Sequence, residues 1–265
     1  MNIVACVKQV PDTETKIQLK PDCSGIVTEG IKYVMNPYDE YAVEEGIRLK
    51  EKFGGEVTIL CLGPERATET IRTALAMGAD KGIHLNDPSF EGSDSYCTAK
   101  ILSGAISQIP YDIILTGKQA VDEDNASVFA NLAEFLNLPY ASVVVGLELA
   151  SDLKSALVKR EGESGEKELI QIILPAIIAC QKDLNQPRYA SLPGIMKAKK
   201  KEIKIITAKD LGLSLEEIGE KGSKVKISHY SLPPERKQGI IIQGEELSEI
   251  CEKLVKLLRE EAKMI

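Results

Sequence analysis

Read along the chain, apolar and polar positions alternate between two grammars. NIVACV (2–7) is a continuous apolar run of strand length. DEYAVEEGIRLKEKF (39–53) then spaces Ala42, Gly46, Leu49 and Phe53 as one face of a helix, with Asp39 as the expected cap and acids in the first turn. VTILCLG (57–63) reads as a buried strand. ERATETIRTALAMGAD (65–80) puts Ala67, Ile71, Ala74 and Leu75 on one helical face, and GIHL (82–85) is a short strand. SDSYCTAKILSGAISQI (93–109) predicts a helix opened by Ser93 or Asp94. DIILTG (112–117) predicts a strand, and NASVFANLAEFL (125–136) a helix capped by Asp124 or Asn125. Strand and helix alternating through short links predict an α/β fold, an open, mostly parallel, doubly wound sheet with right-handed crossovers.

Beyond residue 140 the pattern changes. ASVVVGLELA, SALVKREG and KELIQIILPAIIACQ form consecutive strands without helices. The alternation of Leu157, Lys159 and Glu161, and of Leu169, Gln171 and Ile173, predicts partly exposed antiparallel pairs. Residues 184–206 add prolines, glycine and the cations Lys197, Lys199, Lys200, Lys201 and Lys204. Residues 207–240 hold little that would form a core. The last segment (245–264) places Leu247, Ile250, Cys251, Leu254, Leu257 and Leu258 on one helical face, fit to dock on another polypeptide or to fold back on its own domain. The expected division is a nucleotide-binding α/β domain with a β-hairpin addition over 1–185 and a docking segment with a C-terminal extension over 186–265.

Composition narrows the function. In 265 residues, 33 Lys+Arg stand against 40 Asp+Glu, a net charge of −7 that argues against bulk nucleic-acid binding. The longest apolar run, Ile172 to Cys180, is broken by Pro175 and is too short to span a bilayer. Met1 leads straight into strand-like sequence without an export signal, so a cytoplasmic location is expected. The six cysteines, at 6, 23, 61, 97, 180 and 251, make no CxxC and no metal knuckle; Cys6, Cys61 and Cys180 read as core. His84 and His229 read as structural. No nucleophile stands beside a base and no metal set is evident, so no catalytic residue is assigned.

Ligands of open parallel sheets bind outside the carboxyl ends of the strands, where the strand order reverses. CVKQVPD (6–12), CLGPE (61–65) and TGKQAVDEDNAS (116–127) leave such ends. Small residues there let backbone approach a ligand, Lys118 and Gln119 offer donors, and a helix start near Asn125 offers N–H groups to an anion. Neither GxGxxG nor GxxxxGK[ST] is present. A plain surface loop before a capped helix stays an open alternative.

VKQVPD (7–12), MNPYDEYAVEEGIRLKE (35–51), ETIRTALAMGAD (69–80), TGKQAVDED (116–124) and LNQPRYASLPGIMKAKKKEI (184–203) together resemble the beta (small) subunit of electron transfer flavoproteins. The resemblance runs over essentially the whole chain. It implies an adenine-nucleotide-binding fold of the universal-stress-protein type and a heterodimer with an alpha subunit that carries the redox-active FAD. It also implies a flavin-containing dehydrogenase partner, acyl-CoA or hydroxyacid type, with no nucleic acid and no membrane span. Nucleotide contacts carried over by the resemblance are Cys6, Asn36, Pro37, Tyr38, Asp39, Leu62 and Gly63. A second set runs through Thr116, Gly117, Lys118, Gln119, Ala120, Val121, Asp122, Asp124, Asn125, Ala126, Ser127 and Val128. The docking segment falls on Leu184, Pro187, Arg188 and Tyr189, with Leu184 as an exposed plug.

Two departures stand out. DEDNASVF replaces the DGDTAQVG of many relatives, so Glu123 and Phe129 stand where those have Gly, and Asn125 where they have Thr. The family signature before LPAII survives only as the ESG of VKREGESGEKELIQIILP. VKQVPDT resembles the electron-bifurcating group, whose beta site holds a second FAD that accepts hydride from NADH. YASLPGIMKAKKK resembles the group whose beta site holds structural AMP. FAD with NADH is the first expectation and AMP the alternative. A stand-alone nucleotide-sensing module of the same fold would leave the C-terminal segment unexplained.

Overall fold

The computed structural model describes residues 1–234, 239–244 and 246–265, so Glu245 of the expected last helix and part of the 207–240 stretch lie outside the described residues. Strands are β1 (Asn2–Val7), β2 (Gln9–Pro11), β3 (Tyr33–Met35), β4 (Glu56–Leu62), β5 (Lys81–Leu85), β6 (Ile113–Gly117), β7 (Tyr140–Leu149), β8 (Ser155–Glu161), β9 (Lys167–Ile173), β10 (Ala176–Cys180) and β11 (Ile203–Ile206). Helices are α1 (Pro37–Phe53), α2 (Thr68–Met77), α3 (Ser95–Ile106), α4 (Val128–Leu136), α5 (Leu192–Ala198), α6 (Ala208–Leu211), α7 (Gly219–Gly222) and α8 (Leu247–Glu260).

Nine strands form one sheet in the order β11-β5-β4-β1-β6-β10-β7-β8-β9. From β11 to β7 every pairing is parallel, and the β7-β8-β9 meander is antiparallel. The chain builds outward from β1 to β4 and β5, then returns to add β6 on the other side. The order therefore reverses between β1 and β6. The β-strand alternation feeds two cores. Ile3, Ala5, Ile59 and Leu115 pack under α1 and α2, while Val4, Cys6, Leu60 and Ile114 pack under α3 and α4. These cores are mainly aliphatic, and burying each Ile or Leu contributes about 1.5–3 kcal/mol.

Helix starts differ from the expected caps. α1 opens two residues early, with Asn36 at the cap position and Pro37 in the first turn, which suits its missing N–H. Asp39 is therefore the third helical residue, and it is buried. α3 is capped as expected by Asp94, which accepts from the Cys97 N–H. α4 begins only at Val128, after Asp124 and Ala126 adopt positive φ, so neither Asp124 nor Asn125 caps it. On the meander, Leu157, Leu169 and Ile173 are exposed while Ala156, Val158 and Ile172 are buried, as the alternation predicts.

The chain divides into two compact units, Met1–Gln18 with Val27–Ser228, and Leu19–Ile26 with His229–Ile265. The division expected after residue 185 thus falls inside the first unit. The reason is packing: α5 lies on α2, β11 extends the sheet beside β5, and Ala198, Ile206, Ala208 and Ile218 are buried. In the second unit Leu19 bridges to Ile26, and the Tyr230 N–H donates to the Cys23 carbonyl at 3.0 Å. Its helix α8 is strongly amphipathic, yet none of its residues is buried. Among the described residues, no helix is long and apolar enough to cross a membrane.

Candidate functional site

The loops after β1, β4 and β6 meet at the carboxyl edge, around the reversal point. Their frame is a buried pair at the start of α1. Asp39 accepts from the Lys8 N–H at 2.6 Å and from the Gly117 N–H at 3.1 Å, joining the ends of β1 and β6. The Asn36 amide donates to Asp39 at 2.9 Å and to the Gln119 carbonyl at 2.8 Å, while its oxygen accepts from the Val121 N–H at 3.1 Å. Burial pushes the Asp39 carboxyl up to about 7 against these donors, which pull it down. Gly117 is required by contact: a Cβ there would run into the Asp39 carboxylate and the Tyr38 backbone.

Around this frame the loop side chains satisfy one another. Lys8 Nζ reaches Asp122 at 2.9 Å and Glu123 at 3.4 Å; these are exposed pairs that order the loop more than they stabilise it. Gln119 donates to Asp124 at 2.6 Å, and Lys118 lies over the Tyr38 ring at 5.0 Å. On the β4 side, the buried His84 ring bridges the Gly63 carbonyl, at 2.9 Å, and Thr68 Oγ1, at 3.3 Å. Its structural reading holds, and its task is to hold the Gly63 loop. Cys6, Cys61 and Cys180 are buried as expected; desolvation drives the Cys61 thiol up to about 12, and the thiols of Cys6 and Cys180 are raised as well.

The resemblance-derived contacts thus fall into two classes. Asn36 and Asp39 are buried, and their side chains are occupied by the loops. Cys6 lies under the edge, Pro37, Tyr38, Leu62 and Gly63 are half-buried on it, and Gly117 to Val128 rim it, with 122–126 exposed. Two polar atoms there are buried and, among the described residues, without a partner: Thr116 Oγ1 and Gln9 Oε1. A buried hydroxyl or amide oxygen left unpaired costs about 1–3 kcal/mol, which a bound polar group would recover. The first turn of α4 adds N–H groups that no side chain caps, starting at Val128 rather than at Asn125. This combination of a reversal point, close backbone approach, orphaned polar atoms and an open helix start fits an adenine nucleotide. Lys8, Gln9 and His84 were missed as site builders; VKQVPD was visible as a motif, but its partners in other loops, Asp39, Arg66 and Asp122, and those of His84, Gly63 and Thr68, were not.

The docking segment is arranged differently from its expectation. Leu184 is not an exposed plug: it is 9% exposed and packs in the core beneath α1. The turn at Asp183, with φ of 74°, sends it inward. Arg188 is half-buried in ion pairs with Glu44 and Glu51. Exposure instead rises at Tyr189 (98%), Leu192 (73%), Ile195 and Met196 (64%). Lys197, Lys199 and Lys200 are solvated, whereas Lys201 turns inward to donate to the carbonyls of Leu75 and Ala79 at the end of α2.

The electron transfer flavoprotein domain family matches residues 24–211. The electron transfer flavoprotein subunit beta of Thermoanaerobacterium thermosaccharolyticum is 42% identical, covering 97% of this chain and 98% of its own length. That of Homo sapiens is 40% identical over 93% of this chain and 94% of its own. The caffeyl-CoA reductase-Etf complex subunit CarD of Acetobacterium woodii is 36% identical over 98% of each. Sheet order, carboxyl-edge loops and these full-length likenesses agree: the chain belongs to the electron transfer flavoprotein family, among its beta subunits.

Proposed function

We propose that this chain holds an adenine nucleotide at the carboxyl edge of its sheet and presents α5 to a flavin-containing dehydrogenase, while a larger alpha subunit completes the heterodimer. Beta subunits of this family pair with alpha subunits and dehydrogenases in electron transfer. The observation that carries the nucleotide reading is the orphaned buried Thr116 Oγ1 at the end of β6, next to the reversal point and ahead of an uncapped helix start, with a second orphaned atom, Gln9 Oε1, just after β1. Thr116, Gly117, Ser127 and Val128 would hold the adenylate. The backbone beside Cys6 and Leu62 would take its base.

The charge of the β6–α4 loop favours a single phosphate. One helix start offers N–H groups, and the carboxylates ahead of it, Asp122, Glu123 and Asp124, already occupy Lys8 and Gln119, which leaves fewer donors for a second phosphate. AMP is therefore the occupant we favour, in a structural role. FAD with NADH as donor is the second reading, carried by VKQVPDT. Bound flavin would supply hydride acceptance and electron transfer, and this chain would supply position and electrostatics. The apolar face of α8 and the exposed hydrophobics of the second unit fit the alpha subunit as cover.

Cofactor content of the co-purified heterodimer tests all of this. One FAD and one AMP, released by denaturation and separated by chromatography, is the expected result. Two FAD would overturn AMP in favour of the second reading, with NADH reduction kinetics then testing the donor, and one FAD with no second nucleotide would overturn the beta site itself.

A further inference from the structure

Helix α5 inverts the usual arrangement. It packs through its smallest residues: Ala198 is buried, and Gly194 lies so close to the Ala76 carbonyl of α2 that any side chain would collide. Its large apolar residues, Leu192, Ile195 and Met196, face solvent, with Tyr189 just ahead. A seven-residue helix packed on glycine and alanine gains little from burial, so other contacts must hold it.

Those contacts sit at its two ends. At the far end the Arg72 guanidinium donates to the Ala198 and Lys201 carbonyls, and Lys201 caps α2. At the near end Arg188 spans two carboxylates of α1. Its Nε and Nη2 bind Glu44 at 2.8 and 3.0 Å, its Nη1 and Nη2 bind Glu51 at 2.6 and 3.0 Å, and its backbone N–H also reaches Glu44, at 3.1 Å. Glu44 and Glu51 are seven residues apart, two turns on one helical face, so one guanidinium can fork to both. Beside it Asn185 donates to the Tyr41 carbonyl at 3.0 Å and to Glu45 at 2.9 Å. The Glu44 side chain is only 5% exposed, which makes this the least solvent-screened end of the clamp.

We propose that Arg188, forked between Glu44 and Glu51, is a positioning residue that fixes the exposed Tyr189–Met196 face for its dehydrogenase partner. The inference rests on the docking reading above and adds to it the device that holds the face. Arg188 acts through geometry and does not touch the partner. A lysine keeps the charge but lacks the planar fork, so it does not replace it.

The test uses the heterodimer with a butyryl-CoA dehydrogenase as probe, reading dye reduction against heterodimer concentration, and amide hydrogen exchange of residues 189–198. R188K is compared with E44Q/R188M, which removes the clamp without leaving a bare buried carboxylate, and with L192A. Both clamp variants are expected to raise the KM for the heterodimer about tenfold with kcat within about twofold, and to speed exchange of 189–198 about tenfold. Nucleotide content stays that of the parent. If L192A raises KM and neither clamp variant does, the inference is overturned and the docking reading stands. If KM rises without faster exchange, Arg188 is a direct contact and the positioning role is overturned. If L192A leaves KM unchanged, the docking reading itself fails.

Discussion

Two leucines eight residues apart give the sharpest test of the docking segment. Leu184 is 9% exposed and belongs to the core beneath α1; Leu192 is 73% exposed on α5. Truncating Leu184 to alanine removes three buried carbon atoms and leaves a cavity in a well-packed core. The expected cost is about 2–4 kcal/mol. In a unit of this size each kcal/mol moves the melting temperature by about 2–4 °C, so L184A should lower it by roughly 5–15 °C. Truncating Leu192 removes solvated surface and should change stability by less than about 0.5 kcal/mol. The functional readout runs the other way: L192A weakens coupling to the dehydrogenase, whereas L184A, below its new melting point, couples with an unchanged KM. Thermal melts of the two heterodimers, paired with dye-reduction titrations at 20 °C, separate the roles. An L184A heterodimer that melts with the parent and shows a raised KM would refute the reasoning, because Leu184 would then be an exposed plug.

Three further outcomes follow from the carboxyl edge and its thiols. G117A forces a Cβ into Asp39 and the Tyr38 backbone, so it should cost about 1–3 kcal/mol and strip the nucleotide from purified heterodimer; full nucleotide occupancy would contradict the close approach. Asp39, raised by burial to about 7 in the folded chain against an ordinary 3.8, contributes stability that is complete below about pH 4 and is lost as pH rises through about 7. Relative to D39N, the parent should lose about 2–3 kcal/mol between pH 5 and pH 8, read from urea midpoints at those two values; parallel midpoints would mean that its three donors keep it ionised throughout. A thiol reagent at pH 8 should titrate Cys23 of the heterodimer rapidly and leave Cys6, Cys61, Cys97 and Cys180 unreacted until denaturant is added, with Cys251, on the apolar face of α8, reacting only when no alpha subunit covers it, as mass spectrometry of the labelled peptides would show.

The strand–helix alternation to residue 136 was legible because each element repeats its own period over a full face. The sheet and the edge where its loops meet follow from that order with little else. The antiparallel meander was legible too, since Leu157, Leu169 and Ile173 alternate with buried partners. Elements too short to repeat a period were not: β2 and β3 have three residues each, and β11 hides its IKII behind the lysine cluster that suits a solvated edge strand. Caps failed where tertiary contacts override local rules. Asp39 has the chemistry of a cap but is drawn into the core by the N–H groups of Lys8 and Gly117, neither of which is near in sequence. Leu184 failed for the same reason. Flanked by polar residues and a proline, it reads as exposed, and only the turn at Asp183 turns it inward.

These long-range contacts share one mount. Helix α1 uses its first turn, through Asn36 and Asp39, to fix the loops of the carboxyl edge. Two carboxylates further along, Glu44 and Glu51, fix the segment that presents α5. Seventeen helical residues extend about 25 Å, so one rigid element sets the geometry of both ends without either having to move for the other. Its packing supports that stiffness, because Ala42, Val43, Ile47 and Leu49 are all buried between the two attachment points. A nucleotide bound as proposed would gain from such a mount, since the β1 and β6 loops already meet at Asp39 beside the start of α1. Electron transfer between bound partners requires that their docking faces be held in place, and one stiff helix anchored at both ends meets that requirement.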